Sequence, residues 1–429
     1  MKRKVIDELI SWENDTSDTP VLLTGAKGVG KTYLAYDFAK SFFEHIYYIN
    51  FEREPRKASL FQAETDEKIA NNLLTQFNIP EEQAFETRIL ILDEISFCKE
   101  AMDIIKNKRL AGVFDYILTI TSHPLPREFE AEFLRICVHP LEFDEFLRAT
   151  GNEWYIETII NHYHSSTKIP EIVHKELLVL HQLYLQIGGM PGVINEYLNL
   201  QDTVNVSEQH SFIIGSYHDY IFRDNSDSDA LKMNQVIDSL TYQLMKENKK
   251  FQYKIIRKGT THAMYREAIK KLVDQNYVIR CNRIKNEMLP SPTQIDILNH
   301  SCEEDNSSFK LYLPDTGLLY SKIVEEQGQQ GVIQYQKSLL ENYIAQSLHA
   351  KNYSFAFWES DSMAKIDFII SKDLEMIPIE VFLGENTRSK SISVLKQKYT
   401  LPYSIKISAR NFEYSNQVKY VPYYAVFCI

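Results

Sequence analysis

The segment that most constrains this chain is Gly25-Ala26-Lys27-Gly28-Val29-Gly30-Lys31-Thr32, which has the spacing G-x-x-x-x-G-K-T. The apolar run Val21 to Thr24 before it reads as a strand. From Lys31 to Phe42, Leu34, Phe38 and Phe42 recur at helical spacing. A strand that turns through glycines into a helix points successive N–H groups inward, and the helix adds the positive end of its dipole. That combination cradles phosphate oxygens. Lys31 is expected to reach the β- and γ-phosphates and the Thr32 hydroxyl to ligate Mg2+. The sequence therefore predicts ATP and Mg2+ as cofactors, held by Gly25, Ala26, Lys27, Gly28, Val29, Gly30, Lys31 and Thr32.

The surrounding pattern is α/β. Further strands are expected at His45 to Phe51, Arg88 to Asp93, Tyr116 to Thr121 and Arg135 to Val138. Arg88 to Asp93 is apolar on both faces, as in a buried parallel strand, and ends in Asp93-Glu94. It lies about 60 residues after the loop, where an Asp would hold Mg2+ and the adjacent Glu would polarise the attacking water. Leu118 to Ser122 would place Ser122 near the γ-phosphate, although a serine that merely opens a loop fits as well. Arg127 and Arg135 are the nearby candidates for an arginine supplied to a neighbouring subunit, and surface or packing roles suit both.

A length of 429 residues predicts two or three domains with real cores. The net charge of −11 excludes a chain that is polybasic throughout. Cys98, Cys137, Cys281, Cys302 and Cys428 are odd in number and lack a C-x-x-C pair, so reduced thiols in a reducing compartment are expected. The start is basic but has no apolar core, and no apolar run approaches the ~18 residues of a membrane span. A cytoplasmic protein without a membrane partner is expected.

From about Asp144 to Lys250 the pattern is mainly helical, broken at Gly188 to Gly192 and at Arg223 to Asp229. Residues 246–287 carry twelve basic and four acidic residues, a net +8 within the acidic chain. A helix from Ala263 to Gln275, followed by a strand from Tyr277 to Arg283 and a basic wing, suits a winged-helix module. Such a module would contact the phosphates of duplex DNA. A solvated basic face is the alternative. His162 and His164 are expected in a polar loop, with His174 beyond, and read as exposed side chains without a metal. Strands are expected at Ser354–Trp358, Ile366–Ile370 and Ile377–Phe382, with a helix around Glu341.

With these residues in view, the chain resembles the prokaryotic AAA-type ATP-binding proteins that carry a C-terminal domain of unknown function. The resemblance rests on GAKGVGKT, LILDEIS, PLEFDEFL (Pro140 to Leu147), GGMP (Gly188 to Pro191), KENKKFQY (Lys246 to Tyr253), KLYLPDTGLL (Lys310 to Leu319), LLENYIAQSL (Leu339 to Leu348) and IDFII…IPIEV. It implies a RecA-like P-loop core with a parallel sheet (1–143), a helical lid (144–230), a winged-helix segment (231–290) and an α/β restriction-endonuclease-like C-terminal domain (307–429). The residues themselves assign ATP hydrolysis to Glu94, Lys31 and Ser122, with Thr32 and Asp93 at the metal. A homo-oligomer is compatible with this pattern. Glu341, Asp367 and Glu380 resemble the acids of a nuclease metal site. The lysine expected two residues after the last acid is Phe382, whose ring is expected in the core. Lys365 or Lys390 would have to substitute, so a fold that no longer cuts is expected. The open alternatives are a nucleotide-dependent adaptor with negligible turnover and an ATP-gated nuclease.

Overall fold

A computed structural model describes residues 1–15, 19–63, 65–79, 87–106, 110, 113–200, 206–284, 308–360, 363–373 and 375–429. They divide into two units, Met1–His139 and Pro140–Ile429.

The first unit is built on a five-stranded sheet. Its strands are β1 (Val21–Thr24), β2 (His45–Asn50), β3 (Arg88–Asp93), β4 (Tyr116–Ile120) and β5 (Leu134–Cys137), in the order β2-β3-β4-β1-β5. All four pairings are parallel. Helices on its faces bury the apolar strands on both sides, and Ile89, Leu90, Ile91 and Leu92 are fully buried. One face packs Leu22, Ile49, Leu90 and Leu92 against Phe51, Ile69 and Leu73. Elsewhere Trp12 meets Phe38 and Tyr116 at ring-centroid distances of 6.1 and 5.4 Å. Because every strand runs the same way, the carboxyl ends of β1, β3 and β4 lie side by side, the usual place for a ligand crevice in such sheets.

The second unit begins with helices. These include Trp154–Ser165, Glu171–Ile187, Pro191–Leu200, Val206–Asp224 and Asp227–Leu244. His162 and His164 lie in the last turn of the first of these, so the expected polar loop is helical there. His174 is buried in the next helix, bonded to the Tyr424 hydroxyl and the Ala409 carbonyl.

An eight-stranded mixed sheet follows. Its strands are β6 (Ile279–Arg283), β7 (Phe309–Tyr312), β8 (Phe355–Glu359), β9 (Lys365–Lys372), β10 (Glu375–Val381), β11 (Ser404–Ser408), β12 (Glu413–Ser415) and β13 (Val418–Pro422), in the order β12-β13-β11-β10-β9-β8-β6-β7. The helix His262–Asp274 leads to β6, as the winged-helix reading requires, but β6 pairs with β7 and β8 inside this sheet. The wing itself would fall on 285–290, outside the described residues.

A buried polar network knits the second unit together. Asp315 is fully buried and accepts from the N–H groups of Gly189 (2.6 Å), Gly317 (3.0 Å) and Leu318 (3.3 Å). Gln346 accepts from the Thr316 N–H and donates to the Tyr184 hydroxyl, which donates to the Leu141 carbonyl. Ser347 donates to Glu142. Each bond satisfies a buried group that would otherwise cost free energy.

Candidate functional site

The glycine loop leaves β1 with Gly25, Gly28 and Gly30 at φ of 135°, 87° and 92°. A Cβ on Gly25 would lie 2.1 Å from the Val138 carbonyl oxygen, so no side chain fits there. Lys31 opens the following helix. Its ammonium is buried and donates to the carbonyls of Gly25 (2.8 Å) and Ala26 (3.1 Å). Burial lowers this lysine to about 8, offset in part by Glu94.

Thr32 and Asp93 come together as expected from the sequence: the Thr32 hydroxyl donates to Asp93 Oδ2 at 2.8 Å. The same oxygen accepts from the Tyr48 hydroxyl (2.7 Å) and the Asn50 amide (3.1 Å). Both come from β2, whose register sets Asn50 opposite Asp93. Burial, followed by the bond to Asp93, pushes the Tyr48 phenol up, so it stays a donor. The sequence did not single out Tyr48 or Asn50; only the order of the strands reveals them. Thr32 and Asp93 offer hard oxygen donors side by side, which is the donor chemistry Mg2+ requires.

Glu94 follows directly and takes a left-handed backbone with φ 52°. Strain of this kind in a non-glycine residue persists where its surroundings over-determine it. Here the Ser122 N–H donates to Glu94 Oε2 (2.9 Å) and the Ser122 hydroxyl to Oε1 (2.6 Å). Lys27 bridges Glu52 (2.8 Å) and Glu94 (3.5 Å). Burial would raise the Glu94 carboxyl, but Lys31, Lys27 and the Ser122 bonds hold it below its ordinary value, as a carboxylate. Ser122 is thus beside Glu94, and its hydroxyl is spent on that carboxylate.

Arg3 is a further contributor. It is buried, and its guanidinium donates to the carbonyls of Val29 (3.0 Å) and His139 (2.5 Å), fixing the loop from behind. One arginine within the basic Lys2-Arg3-Lys4 start gives no signal in the sequence for such a role. Arg135 donates to Thr24 and pairs with Glu130 at 3.6 Å. The side chain of Arg127 lies outside the described residues.

Residues 17–147 match the family model of an AAA domain. The first unit carries an AAA-type P-loop domain. Residues 180–327 and 336–426 match two models each described only as a domain of unknown function. No curated protein matches. The chain is similar to the Walker-type ATPase of Pyrococcus abyssi, with 14% identity, 75% of this chain and 95% of that chain covered, and a TM-score of 0.41. AMPPCP-bound DnaA from Aquifex aeolicus shows 15% identity, coverage of 63% and 87%, and a TM-score of 0.28. At such TM-scores neither likeness bears on function.

In the second unit, Glu341, Asp367 and Glu380 face a cavity of about 670 Å3. Ammonium groups stand where a metal would need open carboxylate oxygens. Glu341 is met by Lys249 (3.0 Å), Lys310 (3.5 Å) and Lys337 (3.8 Å). Burial alone would raise Glu341, but these lysines hold it well below the usual carboxylate range. Lys337 also pairs with Asp367 (3.5 Å), which accepts from the Val381 N–H. Among the described residues no group of three or more His, Cys, Asp or Glu side chains is arranged to hold a metal ion. The residues present do not fit the nuclease metal that the resemblance implies.

Among the described residues neither expected substitute lysine, Lys365 or Lys390, forms an ion pair with Glu380. Lys406 does, from the neighbouring strand: β10 and β11 set Glu380 opposite Lys406, whose ammonium is 3.8 Å from Glu380 Oε2 and 5.3 Å from the centre of the Phe382 ring. Phe382 is half-buried under that ammonium, so the expectation that its ring lies in the core is corrected.

Of the twelve cations in 246–287, several are engaged within the second unit. Lys249 pairs with Glu341, Lys250 with Glu359 and Lys271 with Asp229, and Arg280 lies over the Phe309 ring. Lys254, Arg257 and Lys258 are exposed. Among the described residues no single helix is long and apolar enough to cross a membrane. Among the described residues no disulfide joins Cys98, Cys137, Cys281 or Cys428, and Cys302 lies outside them.

Proposed function

We propose that the chain binds ATP with Mg2+ at the glycine loop and hydrolyses it, and that the nucleotide state rearranges the rest of the protein. The observation that carries this reading is the pairing of Thr32 with Asp93 at 2.8 Å beside a Glu94 carboxylate fixed by Ser122. Loop N–H groups and Lys31 would take the phosphate oxygens in place of the carbonyls that Lys31 now holds. Thr32 and Asp93 would hold Mg2+, which when bound neutralises charge developing on the phosphates. Tyr48 and Asn50 fix the orientation of Asp93. Glu94 accepts the proton of the attacking water, and Ser122 orients its carboxylate.

Lys31→Ala should weaken ATP binding at least about 100-fold, since a charge-assisted phosphate contact is lost. Wild-type affinity should also decline as pH rises through about 8, where the buried ammonium loses its proton. Calorimetric titration with ATP checks both. Unchanged binding by Lys31→Ala would remove the loop from the reading.

Association with duplex DNA belongs to the same proposal and rests on the exposed Lys254, Arg257 and Lys258. Reversing Arg257 and Lys258 to Glu should weaken DNA binding about tenfold on all sequences alike and flatten its salt dependence. Equal anisotropy titrations for the variant and the wild type would exclude this surface.

A further inference from the structure

The loop after β10 builds a cationic hollow that the ATP reading leaves unused. It is an open surface hollow of about 510 Å3, lined by Arg388, Lys390, Lys406 and Arg410, with Thr387 and Tyr420 between them. No carboxylate is among the described residues that line it. Arg388 and Lys390 are exposed and have no ion-pair partner among the described residues. Lys406 is buried, donates to the Thr387 carbonyl (2.7 Å) and, among the described residues, has the 3.8 Å contact with Glu380 as its ion pair. Arg410 pairs with Glu413 (2.6 Å) and lies 4.2 Å over the Tyr420 ring. Four cations thus face two carboxylates set behind them, while Glu385 of the same loop is exposed and does not line the hollow. The hollow is thus locally cationic within a chain of net charge −11.

The hollow is also preformed. The Gly384 carbonyl accepts from the Ala409 N–H (2.9 Å), the Phe382 carbonyl from the Tyr423 hydroxyl (2.7 Å), and Asn386 from the Arg388 N–H (3.2 Å). A loop fixed in this way loses little conformational freedom when an anion arrives. Arg388 and Ser389 also line the 670 Å3 cavity, where the lysines stand among Glu247, Glu341, Glu359, Asp367 and Glu380, so the carboxylate-free stretch is the hollow itself. Its four cations are more than a single anionic group needs.

We propose that this hollow binds a linear polyanion through its phosphoryl oxygens, supplied either by free polyphosphate or by the phosphodiester backbone of nucleic acid. The guanidinium forks take paired oxygens and the lysines act as point charges. Specificity is for the charge ladder, not for bases.

The test uses the full chain carrying Lys31→Ala, so that the glycine loop is silenced, with and without Arg388→Glu and Lys390→Glu. A neutral pair, Arg388→Gln and Lys390→Gln, controls for disruption by the new acids. Equal thermal melts establish that each variant is folded. Inorganic tripolyphosphate is titrated by calorimetry and a labelled DNA duplex by anisotropy. The charge-reversed pair should weaken binding at least about tenfold, with the neutral pair between it and its parent. Loss with both probes supports a general phosphoryl site. Loss with duplex alone assigns the phosphodiester chain, and loss with tripolyphosphate alone assigns free polyphosphate. Unchanged affinity for both probes in the folded variants overturns the proposal. Because the comparison is made within one Lys31→Ala background, it stands or falls separately from the ATP reading.

Discussion

Glu94→Gln should bind ATP within about threefold of wild type and turn it over roughly 10²–10⁴-fold more slowly. Gln keeps the size of the side chain and can still accept from Ser122, so the fold at the tip of β3 should survive. What it loses is the carboxylate that accepts a proton from water. Lys31, Thr32 and Asp93 hold the nucleotide through contacts that do not involve Glu94 as a ligand, which is why affinity should remain. Phosphate release under saturating ATP, with affinity measured in parallel, separates the two effects. Wild-type turnover by Glu94→Gln would take the role away from this residue. An equal loss of affinity and turnover would instead mean that Glu94 shapes the binding pocket.

Asp315→Ala should cost the second unit roughly 4 kcal/mol, because three buried N–H groups lose their acceptor together. No nearby side chain can replace it cheaply. A Cβ on Gly188 would already lie 2.1 Å from Asp315 Oδ1, so carboxylate and glycine turn are fitted to each other. The expected shift is about 10 °C in the melting of this unit. Asp315→Asn keeps an acceptor and should lose less. The conservative variant also differs from wild type in pH dependence. Burial raises Asp315 to about 6, above its ordinary 3.8. A carboxyl raised in the folded state stabilises fully below about 4 and loses that contribution as pH rises through 6, on the order of 2–3 kcal/mol in total. The amide introduced by Asp315→Asn does not titrate, so stability measured from pH 4 to 8 should fall less steeply than in wild type. Burial lowers His181 to about 3 and His210 to about 4. They act in the opposite sense, destabilising the fold as pH drops below about 6.5, in wild type and Asp315→Asn alike. Identical pH slopes would show that Asp315 is not the titrating group.

The strands of the first unit were legible because each is a short apolar run bounded by polar or glycine-rich turns, and β3 begins and ends where its pattern does. The glycine loop, Thr32 and the Asp93-Glu94 tip were legible for the same reason: their chemistry is written in consecutive residues. Partners across the sheet were not. Tyr48 and Asn50 reach Asp93 only because β2 lies beside β3, and Lys406 reaches Glu380 only because β11 lies beside β10. Strand order and register are properties of packing, and a single chain of residues does not state them. The segments PLEFDEFL, GGMP, PDTGLL and LLENYIAQSL carry the family resemblance together, but the sequence states no contact among them. In the structure they supply Leu141, Gly189, Asp315 and Gln346 to one buried network. The histidines at 162 and 164 misled for a local reason: polar residues at the end of an amphipathic helix resemble a loop when the buried Ile156, Ile159 and Tyr163 on its other face are not weighed.

The proposed function requires that the Thr32–Asp93 pair and Glu94 serve ATP hydrolysis and not nucleotide binding alone. The most direct measurement incubates the purified full chain with γ-labelled ATP and Mg2+ and follows labelled phosphate over many turnovers, beside Lys31→Ala. Wild type should release phosphate in an Mg2+-dependent manner, and the release should disappear with Lys31→Ala. Tight binding of ATP that stays intact throughout the incubation would contradict the proposed function and identify a nucleotide-dependent adaptor.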